Sequence, residues 1–166
     1  SMENKFYAKK YYELGFNVTC ISTELNDFNF YSYNLLKAPN HEWKGFFKLR
    51  QNEEEFNSLN FTNSSGLGAV TGFNNLLVLD FDGCTNYDMI RNTLSILGLP
   101  VNYEWVIQSG SGIGFHIFVE CLKPSYLDEK CVVAKYPANN KYKNDIYAIE
   151  FLWKTHVVLP PSIHQS

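Results

Sequence analysis

No stretch of this sequence is apolar for the roughly 20 residues that a bilayer span requires, and its first residues carry no apolar leader core. The expectation is an intracellular protein with no membrane partner. Its Asn-X-Ser/Thr sequons at Asn17, Asn60 and Asn63 are then expected to stay unglycosylated. Cysteine is sparse. Cys20, Cys84, Cys121 and Cys131 show no Cys-x-x-Cys spacing, so neither a zinc site nor a disulfide framework is indicated, and reduced, mostly buried thiols are the default. Charge is sparse too: 14 Lys+Arg against 17 Asp+Glu leave a net charge of −3. That balance excludes a generally basic nucleic-acid surface, while leaving room for a local basic groove beside an acidic centre. Neither an internal repeat nor a linker-like stretch divides the chain.

What is present is apolar and aromatic. With 45% hydrophobic and 16% aromatic residues over 166 positions, the chain can bury one proper core, and a single domain over residues 3–166 is expected, Ser1-Met2 reading as a cloning scar. Glu3–Leu14 reads as a helix whose Phe6, Lys9, Lys10 and Glu13 are spaced for an amphipathic face, stopped at Gly15. Phe16–Ile21 reads as a strand, residues 22–36 and 37–44 as loops, and Glu53–Leu59 as a short helix. Asn60–Gly68, rich in Asn, Ser and Gly, reads as a turn region that also marks the start of the central sheet. Gly68–Thr71 and Leu76–Phe81 read as two strands of a central sheet joined, hairpin-like, by Gly72–Asn75. Tyr87–Leu97 is the clearest helix, ended by Gly98 and Pro100. Strands follow at Trp105–Gln108 and Phe115–Glu120, then an exposed insertion over 121–144, then closing strands at Ile146–Leu152 and Val157–Leu159. The fold class expected is α+β, with a mixed or antiparallel central sheet flanked by helices.

Chemistry concentrates in three places. Leu76-Leu-Val-Leu-Asp-Phe-Asp-Gly83 is a buried strand ending in Asp80 and Asp82, two residues apart and so on one face. Two carboxylates held together repel unless a cation lies between them, and a hard divalent ion prefers oxygen ligands. A solvated acidic turn is the plainer alternative. Ser109-Gly-Ser-Gly-Ile-Gly-Phe-His116 supplies hydroxyl donors at Ser109 and Ser111 and lets backbone N–H groups approach phosphate oxygens, notably at Gly112. A tight turn would use the same glycines. His116 opens the next strand and can donate to phosphate as well, although a strand histidine standing alone is more often structural. Glu150 lies inside the apolar run Ile149–Trp153, where a carboxylate must be paired, metal-bound or on an exposed face.

Taken in order, Asp-Phe-Asp-Gly83, Ser109–His116 and an acid ahead of Val157-Val-Leu-Pro-Pro-Ser162 resemble the three motifs of the archaeo-eukaryotic primase superfamily. The bifunctional primase/polymerase (prim-pol) domain is the nearest likeness. The resemblance extends upstream through Lys37-x-Pro39, Trp43-Lys44 and Gly66-Leu-Gly-Ala-Val-Thr-Gly72, and is weakest over 121–144. It implies the prim-pol catalytic fold. Asp80, Asp82 and Glu150 match the metal-binding acids, and His116 the nucleotide-binding histidine. It further implies two divalent cations, magnesium or manganese, and a nucleotidyltransferase that joins (d)NTPs to a nucleic-acid 3′ end or an initiating nucleotide in DNA replication. Ser109, Ser111, Gly112 and His116, with Lys37 and Lys154, would hold the nucleotide, and Lys44 and Arg91 are further candidates for phosphate or template. Its partners would be (d)NTP, single-stranded or primed DNA, and a helicase domain in cis. Glu150 stands where the family more often has aspartate, and Asp82 where it often has glutamate; each change keeps the carboxylate and alters its reach by one methylene.

Two other readings stay open at the level of sequence. A primase-like domain could bind nucleotide or single-stranded DNA without polymerising. Leu-Asp80-Phe-Asp82-Gly-Cys-Thr85 also resembles the first motif of haloacid-dehalogenase-type phosphatases. That family places the motif near its N-terminus and adds a later paired-acid motif, which this chain does not carry.

Overall fold

A computed structural model of the protein describes residues 2–22, 42–62, 64–83, 86–108, 114–122, 131–135 and 146–160. Strand order gives two sheets, and every strand pairing is antiparallel. The first holds β1 (Val18–Ser22), β2 (Ser64–Val70) and β8 (His156–Leu159) in the order β1-β2-β8. The second holds β3 (Leu76–Asp82), β4 (Val106–Gln108), β5 (Gly114–Glu120), β6 (Cys131–Lys135) and β7 (Ala148–Leu152) in the order β4-β5-β3-β7-β6. The α+β class expected from the sequence holds, with two sheets in place of one.

The apolar pattern of β3 shows why the layers stack as they do. Leu77, Leu79 and Phe81 point to one face and pack with Phe115, Ile117, Trp153 and Leu94, the last from helix α3 (Tyr87–Ile96). Leu76 and Val78 point to the other, where Phe118 and Leu152 join Leu67, Ala69, Val157 and Leu159 of the first sheet and Ala8 of helix α1 (Met2–Glu13). The continuous run 76–79 is therefore buried on both faces, as a central strand should be. Asn86 caps α3 by accepting from the Asp88 N–H at 2.7 Å, and Asn52 and Glu55 form a reciprocal capping box on the short helix α2 (Glu53–Asn57).

Four expectations are corrected. The stretch 60–68 is not all turn, because β2 begins at Ser64 and is buried along its whole length. Its glycine is there for close packing: a Cβ on Gly68 would stand 2.5 Å from the Val157 carbonyl oxygen and 2.6 Å from Thr19 Oγ1. Gly72–Asn75 does not close a hairpin. Gly72, Asn74 and Asn75 all take positive φ, and the turn carries the chain out of the first sheet and into the second. Within 121–144, Cys131–Lys135 is a strand paired to β7, while 123–130 and 136–145 lie outside the described residues. On α1 the buried side chains are Asn4 and Ala8, and Phe6 is exposed with Lys10 Nζ 4.4 Å from its ring centre, so Phe6 does not mark the buried side of the amphipathic helix. Of the loops read over 22–36 and 37–44, Ser22 belongs to β1, residues 23–41 fall outside the described residues, and Lys44–Phe47 forms a short 3₁₀ turn.

A polar network anchors this N-terminal half. The Gln51 side chain accepts from Val18 N–H and donates to Val18 C=O, each at 3.0 Å, treating β1 as a neighbouring strand would. The Arg50 guanidinium donates to Tyr12 and Phe16 carbonyls at 2.6 Å, which satisfies the end of α1.

Candidate metal centre

β3 leaves the inter-sheet core one side chain at a time. Val78 is fully buried, and Asp80 and Asp82 follow on the same face, both half-buried. Antiparallel register then decides their neighbours. Asp80 lies directly across from His116 on β5 and from Glu150 on β7. Asp82 lies across from Gly114 and Ala148, so no bulky cross-strand side chain crowds it. Directly opposed residues bring their Cβ atoms to about 4.5–5.5 Å, close enough for one row of side chains to share a ligand.

The carboxylates do meet. Ligand oxygens of Asp80, Asp82 and Glu150 all lie within 4.8 Å of one another. Oxygens around one magnesium at 2.0–2.1 Å are at most about 4.2 Å apart, so a small contraction of this triad would seat such an ion. The donor set fits as well: three carboxylates on half-buried positions supply only oxygen, the preference of a hard divalent cation. His116 closes the row on the other side. Its Nε2 stands 3.1 Å from Asp80 Oδ1, both side chains being about one-fifth exposed (18% and 19%), and its ring meets Phe118 edge-on at 6.2 Å. Tyr147 adjoins the acids, its backbone N–H donating to the Asp82 carbonyl at 3.0 Å. Burial, followed by the negative charges of Asp82 and Asp80, holds its phenol pKa above the ordinary value.

Other residues singled out in the sequence fall elsewhere. Lys154 sits at the β7–β8 turn against Gly72, beyond Leu152, whereas Asp82 pairs with the start of β7. Lys154 takes a positive φ of 54° there, two residues past the end of β7. Arg91 is exposed on α3 and bonded to Asp88, and α3 packs on the opposite face of the sheet. Lys44 is exposed in the 3₁₀ turn. Lys37, Ser109, Ser111 and Gly112 lie outside the described residues, but the ends of the segment 109–113 are fixed: Gln108 pairs with Phe115, and Gly114 with Asp82. Sequence reasoning missed Gly114, Ala148 and Tyr147. The signal for the first two was available as Gly-x-His116 and Ala-x-Glu150, small residues one strand period before each site residue.

Fold and site together define an α+β domain that gathers oxygen ligands at the rim of an antiparallel sheet. Residues 8–166 match the family described as bifunctional DNA primase/polymerase, N-terminal, and the chain belongs to that family. It is a primase/polymerase-type domain, a class whose substrates are nucleotides and DNA. No curated protein matches the sequence. The family match runs through all three acidic positions and sets the phosphatase reading aside.

Proposed function

We propose that this domain carries out metal-dependent nucleotidyl transfer, extending a nucleic-acid 3′ end or an initiating nucleotide from (d)NTPs during DNA replication. The observation that carries the reading is the meeting of Asp80, Asp82 and Glu150, 70 residues apart at their extremes, within 4.8 Å. In this reading the three carboxylates hold magnesium or manganese against the triphosphate. The bound cations supply charge neutralisation at the reacting phosphate and a lower barrier to attack by the 3′ oxygen. Gly114 and Ala148 leave room beside Asp82 for the nucleotide to approach. Ser109, Ser111, Gly112 and His116 offer N–H and O–H groups to the triphosphate tail, and Lys37 adds positive charge, these assignments resting on the family's motif order.

The test is incorporation of labelled dNTP on a primed single-stranded template with magnesium or manganese, and on an unprimed template for initiation. Incorporation that disappears in excess chelator and in Asp80→Asn supports the reading. A folded protein that binds nucleotide and DNA without incorporation would make it a binding domain.

A further inference from the structure

The geometry points to a second role for His116, as a positioning residue that aims Asp80 at the cation before any nucleotide arrives. The inference rests on the cation centre proposed above and adds to the phosphate contact assigned there.

Asp80 is the middle member of the row Glu150–Asp80–His116, fixed by backbone register on three adjacent strands. Its two lateral neighbours act on it in opposite ways. Glu150 repels it, and the His116 Nε2–H attracts it at 3.1 Å. At that separation the imidazole can donate its Nε2–H to the carboxylate, which when ionised can only accept. The bond draws Oδ1 towards β5 and leaves the other oxygen of Asp80 free to turn to the side where Asp82 and Glu150 lie. His116 is itself held in place: Phe118 meets its ring from the next position on the same face of β5, and Ile107 is its cross-strand partner on β4. Groups that hydrogen-bond to metal ligands in this way commonly change metal affinity by 10–100-fold when removed.

Manganese binding to the nucleotide-free protein, read by the electron paramagnetic resonance of free ion and by calorimetry, isolates this role, because a residue that only grips triphosphate leaves it unchanged. His116→Ala should weaken manganese binding by about 10–100-fold. His116→Gln, whose amide nitrogen can reach the same carboxylate oxygen, should restore most of it. Far-ultraviolet circular dichroism establishes that both variants are folded. Equal affinity in wild type and His116→Ala overturns the positioning role and leaves the cation centre standing. Weak binding that His116→Gln does not restore also overturns it, since the effect then lies outside the donated bond. A wild-type protein that binds no manganese overturns the cation centre itself, and this inference with it.

Discussion

Asp80→Asn should make the protein more stable in chelator and less stable in manganese. Asp80 faces two carboxylates whose oxygens lie within 4.8 Å, and each such pair repels by about 1 kcal/mol in bulk water and about 3.5 kcal/mol at an effective dielectric of about 20. The site is half-buried, and the unfolded chain retains part of the repulsion between neighbours in sequence, so a net relief of about 1–2 kcal/mol is reasonable. At about 2–4 °C per kcal/mol for a chain of this size, the variant should melt about 2–8 °C higher in excess chelator. Asparagine keeps the carbonyl that accepts from His116, so the substitution removes charge without abandoning that bond. With manganese at 100 times its dissociation constant, the wild type should gain about 2.7 kcal/mol, or about 5–11 °C, and the variant far less. The order of the two melting curves should therefore invert between the two buffers. Differential scanning fluorimetry across a manganese titration measures it directly. Asp80→Asn melting below wild type in chelator, or both proteins responding to manganese alike, would refute the reasoning.

Glu150→Asp should keep charge but withdraw the carboxylate by a methylene, costing on the order of a hundredfold in incorporation rate, and Glu150→Gln should lose manganese affinity and incorporation together; steady-state incorporation and calorimetry read the two effects. Gly68→Ala should lower the melting temperature by about 2–12 °C, from an overpacking cost of about 1–3 kcal/mol against Val157 O and Thr19 Oγ1, whereas Gly45→Ala, with nothing within 4 Å, should have little effect. Burial, with a smaller contribution from Tyr7 at Tyr11, raises the phenol pKa of Tyr11 and Tyr103 in the folded state. The unfolded chain then loses these protons first, so stability should be intact below about pH 10 and fall as pH rises through the folded-state values. Tyr103→Phe, which also loses the donation from Tyr103 Oη to the Phe118 carbonyl at 2.6 Å, should melt lower than wild type by a constant offset below about pH 10, and alkaline melting curves should show that gap narrowing above it.

The strand-end acids were readable because alternation alone puts Asp80 and Asp82 on one face, and Glu150 because an acid inside Ile149–Trp153 demands an explanation. Their meeting was implied by the family resemblance alone, since periodicity within a strand says nothing about which strand lies beside it. Register with His116 and Glu150 comes from long-range pairing that only the folded sheet fixes. Gly66 and Gly68 looked like turn residues because a strand that admits its neighbours closely uses the same amino acid as a bend. On α1, three tyrosines, a phenylalanine and three lysines blur the stripe, and the fully buried positions are small or polar, with Asn4 donating to the Ser64 carbonyl.

The ladder that aligns Glu150, Asp80 and His116 is made by main-chain groups, which are indifferent to the side chains they carry. Inheritance of the scaffold and inheritance of the chemistry are thereby separable. An aspartate codon becomes an asparagine codon by one nucleotide change, and such a change at position 80 would leave a gene encoding a domain with the same sheets, the same strand register and, on the estimate above, greater stability without cation. Selection for stability alone would favour that loss. Retention of all three carboxylates together in a lineage would then record selection on what the row does, and their piecemeal decay would mark the descendants in which the domain has become a platform for binding.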